Sequence, residues 1–148
     1  MAGSKRPTAQ VPPDKFIDIH IVNEHHSALA SNIRLFIETR SYDGRTARTY
    51  ASHQVPTPSD GKKTPVDVVI FCFDEDTDIP GTLYLLDKTY PEKTVVIGHT
   101  LFDDAKMRER LAKSRVKQIV IGYDHTELIG LLEFIAIKLS GPKKPQAT

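Results

Sequence analysis

The sequence predicts an α/β fold in which a parallel β-sheet is covered by helices on both faces. Its central element is the run at residues 66–73, which is short, apolar and rich in β-branched side chains, as is typical of a strand buried on both faces. Strands of this kind alternate with helical patterns along the chain. That alternation indicates parallel strands joined by right-handed crossovers.

Five strands are predicted in all. They are residues 16–22, 46–52, 66–73, 94–100 and 116–122. The second is more polar than the others, so we expect it at a more exposed position in the sheet. The turn signal Asp43-Gly44 precedes it and separates it from the first helix.

Four helices are predicted, one after the first strand and one after each of the last three. The helix after the central strand is expected at residues 82–90, behind Pro80-Gly81, and the next at 103–114, where many charges indicate a surface position. The last helix carries one apolar stripe, formed by Leu128, Leu131, Leu132, Ile135 and Leu139. Residues 55–65 contain three prolines and a glycine, so a loop is expected in place of a helix before the central strand.

Five strands in this arrangement favour the flavodoxin-like order 2-1-3-4-5. In that order the first and third strands are neighbours, and their carboxyl ends meet at one edge of the sheet. Asn23 and Glu24 would then face Cys72, Asp74 and Asp76 across one crevice. This is the edge at which open α/β sheets place their chemistry.

The chain length and composition predict a single domain at residues 16–140, between a disordered arm at 1–15 and a flexible tail at 141–148. A formal charge of +1 gives no reason to expect nucleic acid or an anionic membrane as partner. Cys72 is the one cysteine, so no intrachain disulfide can form and a reducing cytoplasm is the expected setting. No apolar run reaches the length of a membrane-spanning helix.

Four segments together resemble a known family. They are residues 21–25, residues 65–73 followed by Pro80-Gly81, residues 95–100, and residues 119–128. In that order and spacing, from residue 16 to 139, the sequence resembles the receiver domain of two-component response regulators. The resemblance implies a flavodoxin-like, CheY-like fold and a role in signal transduction.

The family's chemistry, as the resemblance implies it, uses acidic residues after the first strand and an aspartate after the third to hold Mg²⁺. That aspartate accepts a phosphoryl group, which a Ser or Thr and a Lys then contact. Here Asn23 replaces one acid and Glu24 keeps the other. Counting forward places the phosphoacceptor on Cys72, and counting back from Pro80 places it on Asp76, with Asp74 between them.

Two further family positions bear on phosphate binding and switching. Thr100 matches the Ser or Thr position, whereas Ile121 or Gly122 stands where the family has lysine. A missing lysine removes a charge-assisted contact to phosphate worth about 1.5–3 kcal/mol. The resemblance also makes Thr100 and Tyr123 the candidate switch residues.

These departures predict an atypical receiver, or pseudo-receiver, that acts through protein–protein contacts without normal aspartyl phosphorylation. The partner would be another protein, an output domain such as a transcription regulator, or a second copy. Homodimerisation would use the family's fourth helix, fifth strand and fifth helix. The interface residues expected there are Arg108, Arg110, Arg115 and Tyr123.

Other interpretations of the same residues stay open. Cys72 is a nucleophile or, more simply, a small buried strand residue, and the acidic loop is a cation site or a solvated turn. A working receiver would use Asp74 or Asp76, with Glu24 and Asp74 as its candidate Mg²⁺ ligands; no other cofactor is expected. A flavodoxin-like enzyme or small-molecule binder is the third possibility, although no glycine-rich phosphate loop is present.

Overall fold

A computed structural model describes residues 15–23, 27–57, 61–101, 103–122 and 125–141. It shows a mostly parallel sheet with helices on both faces, as the sequence predicts. The strands are β1 (Phe16–Asn23), β2 (Ser41–Tyr42), β3 (Arg45–Ser52), β4 (Val68–Phe73), β5 (Val95–Thr100) and β6 (Val116–Ile121). The helices are α1 (Ser27–Glu38), α2 (Ile79–Thr89), α3 (Ala105–Ala112) and α4 (Thr126–Leu139).

The strand order is β2-β3-β1-β4-β5-β6. The five parallel strands β3, β1, β4, β5 and β6 follow the predicted order 2-1-3-4-5, which is therefore confirmed. The predicted count of five is one short, because β2 pairs antiparallel with β3 at the sheet edge. A strand of two residues is too short to show a period in the sequence. The turn joining β2 to β3 is at Asp43 and Gly44, which both have positive φ.

A proline-rich segment replaces the second helix, as predicted. Its described residues contain no α-helix, and Val55 and Val66 are buried in the core. The Thr89 hydroxyl at the end of α2 donates to the Pro56 carbonyl at 2.9 Å, and the Thr64 N–H donates to the Thr89 carbonyl at 2.6 Å. These two hydrogen bonds hold the segment against the end of α2. If the segment were a helix, the Pro56 carbonyl and the Thr64 N–H would instead bond to backbone groups of that same helix.

Strand β4 lies at the centre of the core, since all six of its residues are buried. Val68, Ile70 and Cys72 pack with α1 and α4 on one face of the sheet. Val69, Phe71 and Phe73 pack with α2 and α3 on the other. This alternation follows from the period of two in a strand and explains why the sequence shows an unbroken apolar run.

The predicted domain boundaries stay predictions. The arm at residues 1–15 and the tail at 141–148 lie outside the described residues, apart from Lys15 and Gly141. Within the described part of the chain, no helix has the length and apolar character needed to cross a membrane.

Candidate functional site

The carboxyl ends of the parallel strands form a rim, which is the predicted location of the site. Strand register sets Asn23 beside Cys72, Cys72 beside His99, and Phe73 beside Thr100. The structure therefore brings Asn23 and Cys72 together at neighbouring strand ends. Glu24 and Tyr123 lie outside the described residues, so their predicted roles are not addressed by this geometry.

Cys72 occupies the rim position that forward counting gives to the phosphoacceptor. Its side chain is completely buried and belongs to the apolar cluster under α1 and α4. Burial raises the pKa of the Cys72 thiol to about 12. Because the thiolate is the nucleophilic form, the neutral thiol at this position is chemically inert near pH 7.

Asp74 folds its carboxylate back onto its own turn. Its Oδ1 accepts hydrogen bonds from the Asp76 N–H at 2.9 Å and from the Thr77 hydroxyl at 3.1 Å. The Asp74 N–H in turn donates to the Thr77 hydroxyl oxygen at 3.0 Å. These bonds form an Asx-type turn, so Asp74 has a structural task in shaping the loop. The Asp76 side chain is exposed.

Asp78 is the N-cap of α2 and accepts a hydrogen bond from the Gly81 N–H at 3.1 Å. With Pro80 in the first turn, the helix begins at Ile79 and not at residue 82, as the sequence analysis expected. A Cβ at position 81 would collide with the Asp78 carboxylate. The Pro80-Gly81 pair is thus explained by helix capping, without reference to phosphate chemistry.

Thr100 is completely buried at the end of β5. Its neighbours in register are Phe73 and Ile121, both apolar. The Phe73 ring stacks on Phe71 with centroids 5.0 Å apart and is also fully buried. An aromatic pair therefore lies beside Thr100 on the strand where a receiver would carry its acidic phosphoacceptor.

An open cleft of about 520 Å³ separates the acidic loop from α3. Its walls include Asp74, Thr77, Asp78, Asp104, Lys106 and Arg110. Asp104 caps α3 by accepting a hydrogen bond from the Met107 N–H at 3.3 Å. Among the described residues no group of three or more His, Cys, Asp or Glu side chains could hold a metal ion. Of the predicted Mg²⁺ ligand pair, Asp74 accepts hydrogen bonds within its own turn, and Glu24 lies outside the described residues.

The three predicted interface arginines have different surroundings. Arg108 forms an exposed ion pair with Asp103 at 2.5 Å, and this hydrogen bond lowers the pKa of the Asp103 carboxyl. Arg110 is exposed beside the cleft. Arg115 is largely buried, and its guanidinium donates to four backbone carbonyls around the end of α2, those of Leu86, Tyr90, Pro91 and Thr94. Arg115 therefore acts as a clamp within the fold and does not belong to the exposed surface.

The sequence analysis did not predict two features of the structure. His99 and His125 are buried on the α1/α4 side, with ring centroids 5.5 Å apart, and Phe36 packs against His125. His99 is two residues after the core residue Ile97 on the same strand, so both side chains lie on the same face of the sheet. That spacing was the sequence signal for a buried histidine. The second feature is the outer side of α4, where Phe134 is 59% exposed.

Solved structures that resemble this fold include a receiver domain and a pilus assembly protein. A response regulator receiver domain from Rhodospirillum rubrum aligns with a TM-score of 0.46 and 14% identity, over 88% of this chain and 98% of that one. A CpaE2 pilus assembly protein from Sinorhizobium meliloti aligns with a TM-score of 0.56 and 16% identity, over 82% of this chain and 98% of that one. The fold is flavodoxin-like, with a mostly parallel sheet between two layers of helices. Neither protein-family models nor curated proteins match the sequence. At these identities the likeness to solved structures shows the fold alone.

Proposed function

We propose that this protein is a pseudo-receiver, a signalling domain with a receiver-like fold that acts by binding another protein and not by aspartyl phosphorylation. One observation carries the proposal. The position that forward counting gives to the phosphoacceptor carries Cys72, whose thiol is completely buried with a raised pKa, and it is followed by the buried ring of Phe73.

The surrounding groups support this proposal. Phosphoryl transfer depends on charged groups placed around the phosphate and its metal ion. Here the Asp74 carboxylate shapes its own turn, and the Asp78 carboxylate caps α2. Two of the four loop acids are therefore committed to structure, while Glu75 and Asp76 are exposed. The position where the family has lysine falls on Ile121 or Gly122, and neither is a cation.

A binding role is supported by the surface formed by α3, β6 and α4, which correspond to the family's fourth helix, fifth strand and fifth helix. Strand β6 is a sheet edge, because none of the described strands pairs with its outer side. Exposed cations on α3, among them Lys106, Arg108 and Arg110, lie on one side of it, and apolar side chains of α4 on the other. A protein partner with acidic and apolar groups fits this surface better than nucleic acid, given the near-balanced net charge.

Two observations favour other candidates. The exposed Asp76 carboxylate near the cleft favours a working receiver, with Glu24 and Mg²⁺ completing the site. The cleft itself, at about 520 Å³, favours a small-molecule binder or enzyme.

Intact-mass spectrometry tests the proposal directly. The chain is incubated with acetyl phosphate and Mg²⁺, and we expect no mass gain corresponding to a phosphoryl group. A gain that is lost in Asp76→Asn or Asp74→Asn, but kept in Cys72→Ser, would establish the working receiver instead. A parallel thermal-shift screen of nucleotides and metabolites addresses the third candidate, for which a saturable rise in melting temperature is the diagnostic result.

A further inference from the structure

Another pocket lies at the edge formed by the amino ends of the parallel strands, opposite the rim. It has a volume of about 280 Å³ and is bordered by the segment leading into β4, the start of β5 and the last turn of α4. Its apolar lining consists of Val66, Val95, Ile135 and Leu139. Val66 and Ile135 are buried, whereas Val95 is 36% exposed and Leu139 is 40% exposed. The pocket is therefore apolar inside and open to solvent at its mouth.

Three charged side chains also line this pocket. Lys93 lies in the loop before β5 and Lys138 in the last turn of α4, so the two cations come from different elements. The third is Asp67, whose carboxylate already accepts a hydrogen bond from the Asp18 N–H at 2.8 Å. Two cations and one acid that has a partner within the fold give the pocket a net positive charge.

Both lysines are able to contact a ligand. Each is exposed, and no described side chain forms an ion pair with Lys93. The Lys138 Nζ lies 5.4 Å from the centroid of the Phe134 ring. An exposed cation–π contact of this kind is weak, so a charge-assisted hydrogen bond to a carboxylate can replace it.

The carboxyl end of α4 also lies beside the pocket, and its dipole alone would favour a cation. The carbonyls of Ala136, Ile137 and Lys138 accept hydrogen bonds from the N–H groups of Ser140 and Gly141. These bonds satisfy the last carbonyls of the helix, which reduces the negative potential that a ligand would meet. The lysine pair therefore decides the sign of the charge that the pocket favours.

We propose that this pocket binds a small carboxylic acid with an apolar body, with its carboxylate between Lys93 and Lys138. Ligand pockets combine apolar walls with a few polar groups that fix orientation, and they range from roughly 300 to 1,000 Å³. At about 280 Å³ the pocket suits a molecule of the size of octanoate. The proposal goes beyond the pseudo-receiver function and does not depend on it, because the pocket and the rim are at opposite edges of the sheet.

Heteronuclear NMR of the full chain tests this proposal with three probes that share one apolar chain. Octanoate has a negative head group, octan-1-ol a neutral one and octylammonium a positive one. We expect octanoate to shift amide signals of residues 66–67, 93–95 and 135–139 saturably, with a dissociation constant of about 0.1–1 mM. Octan-1-ol should bind the same residues about tenfold more weakly, and octylammonium should give no saturable shift there.

Variants assign the roles of the lining residues. Lys93→Ala and Lys138→Ala should each weaken octanoate binding about three- to fivefold and leave octan-1-ol binding nearly unchanged, because each removes one exposed charge contact. Lys106→Ala, at an exposed position on α3, is the matched control and should leave octanoate binding unchanged. Val95→Phe fills the pocket and should abolish the binding of both probes, while its dispersed NMR spectrum shows that the chain is folded.

Several results would overturn the proposal. Octan-1-ol or octylammonium binding as tightly as octanoate would show that the lysine pair does not select a carboxylate. Shifts that centre on α3 and disappear in Lys106→Ala would place the ligand in the cleft beside the acidic loop. The absence of any saturable shift with octanoate would show that the lysine stems only cover apolar surface. Each of these results would leave the pseudo-receiver proposal standing, since the phosphodonor experiment does not involve this edge of the sheet.

Discussion

The rim of the sheet and the outer side of α4 differ in how their side chains are used. At the rim, Asp74 and Asp78 accept hydrogen bonds from their own loop or helix, and Cys72 is enclosed by the core. On the outer side of α4, Phe134 and Ile137 are exposed. Asp74 and Asp78 are therefore committed within the fold, whereas the apolar side chains on the outer side of α4 are in contact with solvent.

This difference is what the pseudo-receiver proposal expects of a fold whose sheet edge is not its working site. Polar groups whose hydrogen bonds are made within the chain have less capacity left for a ligand. Exposed apolar surface has the opposite property, since its burial by a partner is favourable. The following predictions test each side of the comparison, starting with the largest expected effect.

Cys72→Asp places an aspartate at the position that forward counting gives to the phosphoacceptor. We expect it to lower the free energy of unfolding by about 3–5 kcal/mol at pH 7, because it buries an unpaired carboxylate. Burial raises the pKa of that carboxyl above its unfolded value of about 3.9. The stability of the variant is thus greatest below that value and declines as the pH rises toward the folded pKa. Urea denaturation at several pH values measures both effects.

Cys72→Ala is the control, and it should show a small loss of stability with little dependence on pH below about 8, since the thiol it removes is neutral there. The melting temperature of Cys72→Asp with and without Mg²⁺ is a second measurement, and it tests whether the rim can still bind this ion. If Cys72→Asp folds with near-native stability and Mg²⁺ raises its melting temperature, the rim retains a latent ion site and the comparison between the two regions fails.

Arg115→Ala removes the clamp at the end of α2. We expect a loss of about 2–3 kcal/mol, because four carbonyl oxygens lose a charged donor in a largely buried setting. Arg110→Ala, at an exposed position on α3, should change stability by less than about 0.5 kcal/mol. Equal effects in the two variants, measured by urea denaturation, would show that Arg115 is not the clamp described here.

Much of the fold could be predicted because strand signals were strong. The apolar run of β4 and the alternation of elements were enough to give the parallel order. Strand β2 was missed because two residues carry no period, and the start of α2 was misplaced because the cap at Asp78 was not considered. Both misses concern local geometry that apolar patterning does not report.

The site was harder to predict because spacing does not reveal what a side chain touches. The strand order predicted from the sequence correctly placed the ends of β1 and β4 side by side. The sequence could not show that the Asp74 carboxylate would bond to Thr77, or that the Arg115 guanidinium would bond to buried backbone carbonyls. The exposed apolar residues Phe134 and Ile137 on α4 were not predicted. The stripe that faces the core was by itself enough to predict an amphipathic helix, so the remaining apolar residues were not considered.

Asp78→Ala and Asp74→Ala are expected to give the smallest loss of stability among these predictions. Removing the cap of α2 should cost about 1 kcal/mol, and opening the Asp74 turn a similar amount. Asp76→Ala is the matched control, because its side chain is exposed and only its backbone N–H is used in the turn, so a change below about 0.5 kcal/mol is expected. Urea midpoints of the three variants give the ranking. If Asp76→Ala proved as harmful as the other two, the Asp76 carboxylate would have a partner within the fold, and it would join Asp74 and Asp78 as an acid that serves the structure.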